Sequence, residues 1–125
     1  MKILKKVQQD KKAAAILAFL LSHGDNPIIV DQPEDDLDNA LIYQLIVSQI
    51  HENKKRRQII MVTHNPNIVV NGDAEFVNVL HFHAGQVQVL EAGGLCEQAV
   101  RDHVCNIMEG GAAAFDKRYR RLRNI

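Results

Sequence analysis

The chain has 125 residues, 46% hydrophobic and 24% charged, a make-up that fits one small folded domain and excludes a disordered or fibrous chain. Fifteen Lys and Arg offset fifteen Asp and Glu, and the formal net charge of +0 gives no overall pull toward nucleic acid or a membrane surface. No apolar run approaches the roughly 18 residues of a membrane span. The charges are nevertheless clustered. Lys2, Lys5, Lys6, Lys11 and Lys12 open the sequence, Lys117, Arg118, Arg120, Arg121 and Arg123 close it, and an acidic block fills 31–38.

Residues 11–21 are rich in Ala and Leu and predict a helix, expected to be buried. The lysines before it imitate a signal peptide, but Ser22-His23-Gly24-Asp25 is no small-residue cleavage site. Gly24 and Asp25-Asn26-Pro27 stop the helix. Ile28-Ile29-Val30 is a β-branched run that predicts a strand buried on both faces, as in a parallel sheet. Asp36 or Asp38 can cap a helix reaching about His51, with Leu37, Leu41, Leu45 and Ile46 turned inward. Residues 52–58 read as a solvated charged turn. Ile59-Ile60-Met61-Val62 is a second buried strand ending at Thr63-His64-Asn65-Pro66. Strand, helix, strand is a βαβ unit, so the two strands should be parallel and adjacent or nearly so. Residues 76–82 and 86–90 predict a hairpin turning at Ala84-Gly85. Two helices, 95–108 and 112–122, close the chain across the break Gly110-Gly111. Cys96 and Cys105 are nine apart, about 900° of helical rotation, so on one helix they face opposite ways and cannot pair. Unpaired cysteines suit a reducing cytoplasm.

The chemistry concentrates in Pro27-Ile-Ile-Val-Asp31-Gln32-Pro33-Glu34-Asp35-Asp36-Leu37-Asp38-Asn39. An aspartate ending a buried strand sits where open α/β sheets bind ligands. Clustered carboxylate oxygens suit a hard cation such as Mg²⁺, which is usually held by one or two carboxylates plus phosphate. A second strand delivers Thr63-His64 to its own C-terminal end, which would bring Asp31 and His64 to one crevice.

Four apolar residues followed by Asp31, Pro33 two positions later, and Leu37-Asp38 closing the loop resemble the Walker B and D-loop of ABC ATPases; Val62-Thr63-His64 resembles their switch region. The form Asp-Gln-Pro-Glu-Asp-Asp-Leu-Asp-Asn, with the closing Met-Glu-Gly-Gly-Ala-Ala-Ala-Phe-Asp-Lys-Arg, is similar to a bacterial branch of SMC/RecN-like, AAA-labelled ATPases, the TrlF-like group, some fused to PHP-type phosphoesterase domains and associated with phage defence. The resemblance runs from about residue 11 to the C-terminus. It implies a partial P-loop NTPase core and Mg-ATP as cofactor. It gives Asp31 the Mg²⁺, Asp38 a reach across a head-to-head dimer, and His64 contact with the γ-phosphate and attacking water. Where most members carry a base glutamate, this chain has Gln32, whose amide can orient water but not accept its proton. Glu34, two residues on, is the candidate base. Val7-Gln8-Gln9-Asp10-Lys11 stands in place of the Leu-Ser-x-Gly signature, and no Gly-x-x-x-x-Gly-Lys-Ser/Thr occurs in these 125 residues. Without that phosphate cradle the chain on its own should be a poor ATPase.

His81 and His83 share a strand face and form a minor candidate for metal; the C-terminal arginines form one for nucleic acid. The expectation is a single α/β domain over 1–125, ABC ATPase-like, with short parallel strands, a β-hairpin and flanking helices. As the C-terminal lobe of an ATPase head it would be cytoplasmic and work as a homo-oligomer or with a P-loop-bearing partner chain, because a short sheet leaves unpaired edges. Two further readings are a non-catalytic oligomerisation or regulatory domain and a nucleic-acid-binding module using the terminal basic clusters.

Overall fold

The structure, a computed structural model, describes residues 2–36, 40 and 42–123, with side chains from Lys11 onward except at 36, 42 and 43. These residues form a mixed α/β chain that divides into two compact units, Met1–Asp73 and Ala74–Ile125.

In the first unit, helix α1 (Lys2–Ser22) begins well before the expected residue 11. Ala14 and Leu21 are buried and Leu17 and Ala18 are half-buried, a stripe at helical spacing. The helix is not buried all round, as its composition suggested: Ile16, Phe19 and Leu20 are exposed, because α1 packs on one side only. Strand β1 (Ile28–Asp31) and strand β2 (Ile59–Val62) pair in parallel, with Ile28 opposite Ile59 and Asp31 opposite Val62. The βαβ reading therefore holds. Burial on both faces does not. Ile28, Val30, Ile59 and Met61 are half-buried, whereas Ile29, Ile60 and Val62 are exposed. A two-stranded sheet covered by helices on one face leaves its alternate residues open.

Between the strands run a 3₁₀ turn (Pro33–Asp36), then a π-helical stretch (Ile42–Val47) that continues as α-helix (Ser48–Asn53), together α2. Leu37, Asp38 and Leu41, expected at the start of this helix, lie outside the described residues. A π-helical turn, α3 (Asn67–Asn71), follows β2 and was not legible as an element. Ile46, Ile50 and Ile68 form the core, with Leu17 and Met61 packed against them.

The segment 54–57 is more than a solvated turn. Arg56 donates to the carbonyls of Leu21, Ser22 and Gly24 and to the Asp25 carboxylate. Arg57 donates to the carbonyls of Leu20, Leu21, His23 and Asn26. The last carbonyls of a helix have no partner within it. Here two guanidinium groups supply their donors and add favourable charge at the negative end of the helix dipole. Asn53, itself buried, holds Arg56 from below through Oδ1. The amide of Ile28 donates to the carbonyl of Gln58 at 3.0 Å, so the clamp leads straight into the Ile28–Ile59 register.

The second unit is a hairpin with two helices. Strands β3 (Val77–His83) and β4 (Gln86–Gly93) pair antiparallel with a bulge between Val79 and Leu80. Ala84 (φ 51°) and Gly85 (φ 78°) both adopt the left-handed region, the pattern of a type I′ turn. Helix α4 (Gln98–Glu109) packs on the hairpin through buried Val100 and Val104, with Val79 buried on the hairpin. It starts three residues later than expected, since Glu97 is extended and bends back so that its carboxylate accepts from the Gly94 amide at 3.0 Å. Cys96 thus lies outside the helix that carries Cys105, and the opposite-face argument does not apply; both cysteines are free. Gly110 (φ 74°) ends α4 with a left-handed cap, and α5 (Ala112–Arg123) follows with no buried residue.

Candidate functional site

Because β1 and β2 are adjacent and parallel, their C-terminal ends open at the same edge of the sheet. Asp31 is the last residue of β1, exposed and level with Val62. Gln32 follows with φ 45°, an uncommon conformation for a residue with a side chain. It is held there by its own amide, which donates to the carbonyl of Val62 at 2.7 Å. The left-handed residue bends the chain into the 3₁₀ turn, where the Asp35 amide donates back to the Gln32 carbonyl at 3.3 Å.

That turn places Glu34 under the second loop. The Glu34 side chain is only 4% exposed. Its Oε1 accepts from the Thr63 hydroxyl at 2.6 Å and from the His64 amide at 2.9 Å. The His64 ring lies against the same oxygen, Nδ1 to Oε1 3.2 Å. Glu34 thereby ties the loop after β1 to the loop after β2. The Thr63 hydroxyl also accepts from the Asn65 amide at 2.9 Å, and the Asn65 side chain accepts from the Asn67 amide at 2.8 Å, which fixes the start of α3. Glu34 Oε2 is buried and has no hydrogen-bond partner among the described residues. A buried oxygen left unpaired is costly, so this is a place where the fold leaves a demand for a donor.

Sequence reading placed Asp31, Gln32, Glu34 and His64 at one site. The structure puts Gln32 and Asp31 at the end of β1 and joins Glu34 directly to His64. Asp38 lies outside the described residues. Thr63 was not singled out as a site residue. The signal available was a hydroxyl residue directly after a buried strand and beside a histidine.

Mg²⁺, which the family resemblance implies, finds two exposed carboxylates on this loop among the described residues, Asp31 and Asp35. Among the described residues no three His, Cys, Asp or Glu side chains converge as a metal site. One or two open carboxylates suit Mg²⁺ shared with phosphate oxygens rather than an all-protein cage. His81 and His83 stack with ring centroids 5.9 Å apart on the hairpin and have no third ligand among the described residues. No described helix is long and apolar enough to cross a membrane. Compared with protein-family models, curated proteins and solved structures, the chain has no significant match.

Proposed function

We propose that residues 28–66 are the cation and switch half of a nucleotide-hydrolysing site of the ABC/SMC-like type, completed by a phosphate-binding loop from another segment or chain. The observation that carries this reading is the Glu34 bridge. It couples the acidic loop after one parallel strand to the histidine after the next, at the sheet edge where α/β folds bind ligands.

In this reading Asp31 faces the cation, which would neutralise phosphate charge when bound. Glu34 takes a different part from the base expected of it. Its Oε1 already accepts two hydrogen bonds with the His64 ring set against it, and its Oε2 is shut away from solvent. A general base needs hydrogen-bond reach to the proton it takes. Glu34 is therefore the group that orients His64. With Nδ1 set against Glu34 Oε1, a proton held on Nδ1 would leave Nε2 as the acceptor on a side chain that is 64% exposed. The side-chain amide of Gln32, an exposed residue, can orient water. Asp38 keeps the cross-dimer contact that the family resemblance implies.

The test is calorimetry of Mg-ATP with the full chain and its Asp31→Ala variant. The expected result is weak saturable binding, with Kd on the order of 1 mM because the phosphate loop is missing, lost in the variant. No heat at roughly 5 mM nucleotide, or binding indifferent to Asp31, would end this reading.

A further inference from the structure

Two unpartnered surfaces of this chain complement each other. The first is the open face of the β1–β2 sheet, where Ile29, Ile60 and Val62 are 70%, 43% and 41% exposed. Asp31 stands on that same face opposite Val62, and exposed Asp35 lies in the turn just beyond. The second is α5. Phe115, Tyr119 and Leu122 fall at i, i+4 and i+7, a single stripe, and are 46%, 52% and 66% exposed. Five cations and one acid, Asp116, give the helix a formal charge of 5 − 1 = +4. Arg118 pairs with Glu109 and Arg120 with Asp116. Arg123 lies over the Tyr119 ring at 5.9 Å, at the rim of the stripe, with no carboxylate partner among the described residues.

We propose that α5 of one copy covers the open β1–β2 face of a second copy. Phe115, Tyr119 and Leu122 lie over Ile29, Ile60 and Val62, and Arg123 reaches the Asp31 end. A helix laid on an uncovered sheet face is the ordinary way an α/β layer is completed. Charge selects this sheet over the hairpin. The hairpin's open residues, Leu80, Phe82, Val87 and Val89, have His81, His83, Gln86 and Gln88 as strand neighbours at the tip and no carboxylate among them. One such contact covers on the order of 400 Å² per side, below the about 800 Å² per partner of a stable complex, so the pairing should be weak and concentration-dependent.

The test is sedimentation of the full chain from about 1 µM to 1 mM, with isotope-filtered NOEs on a mixed-labelled sample. A dimer is expected, with intermolecular NOEs from the Phe115 and Tyr119 rings to the Ile29, Ile60 and Val62 methyls. Leu122→Glu, at an exposed position, should leave the circular dichroism intact and weaken pairing roughly tenfold or more. Arg123→Glu should weaken it less, and Asp31→Arg in the same chain should restore the loss. A chain that stays monomeric throughout, a dimer joined by other surfaces, or one indifferent to Leu122→Glu overturns the proposal.

Discussion

Glu34 decides most of what the candidate site can do. Truncating it strands the Thr63 hydroxyl and the His64 amide, so Glu34→Ala should destabilise the chain by about 2–3 kcal/mol. Glu34→Gln keeps a carbonyl oxygen for both donors and should cost about 1 kcal/mol, since its new amide protons replace an oxygen that had no donor. Urea unfolding of the two variants measures the difference; equal losses would mean the oxygen at Oε1 is not what holds the loops. Nitrogen shifts of the His64 ring offer a second readout. Nδ1–H should be the tautomer in the parent and in Glu34→Gln, and a mixture should appear in Glu34→Ala. Gln32 is the strained residue beside it, at φ 45°. Gln32→Gly should be neutral or stabilising by up to about 1 kcal/mol, because only glycine enters the left-handed region freely. The types and spacing of Asp31, Gln32, Glu34 and His64 were legible in the sequence. The role of Glu34 was not, because nothing in a string of acids says which one a 3₁₀ turn will carry into the interior.

The elements show the same division. Strand cores, the hairpin and the Gly110-Gly111 break follow from β-branched runs, turn chemistry and glycine, all local signals. The Arg56 and Arg57 clamp joins positions more than 30 residues apart and has no local signature; in sequence it is one more charged patch. Arg57→Lys tests the clamp at constant charge. An ammonium cannot span the carbonyls of Leu20, Leu21, His23 and Asn26 as a planar fork does. The expected loss is about 1–2 kcal/mol, with faster amide exchange in the last turn of α1 and in β1. Exchange unchanged there would show that the α1 end is held by packing alone. The hairpin turn permits the opposite kind of change. Ala84 holds a left-handed conformation in which Asn is much better tolerated, so Ala84→Asn should raise stability by about 0.5–1 kcal/mol in thermal unfolding.

At the scale of the whole molecule, 46% hydrophobic content promised a larger interior than these elements enclose. Among the described residues ten hydrophobics are buried and seventeen large ones are exposed. The reason is geometric. Two separate two-stranded sheets offer four faces, and the helices cannot cover them all. A formal net charge of +0 adds no repulsion between copies, so the open apolar surface decides how the chain behaves in solution. The hairpin tip makes this testable apart from the pairing of α5 with the β1–β2 face. Phe82 and Val87 are 70% and 65% exposed and stand opposite each other. Phe82→Lys with Val87→Lys removes apolar area and raises the net charge by two. Light scattering on heating should then show aggregation starting several degrees later, with the circular dichroism midpoint nearly unchanged, as surface changes typically stay within about 0.5 kcal/mol. Sedimentation of the double variant should match that of the parent, because the tip lies outside the proposed pairing surface. A collapse of the fold would instead show that these side chains are covered in solution, and the hairpin would have to be counted as part of a core.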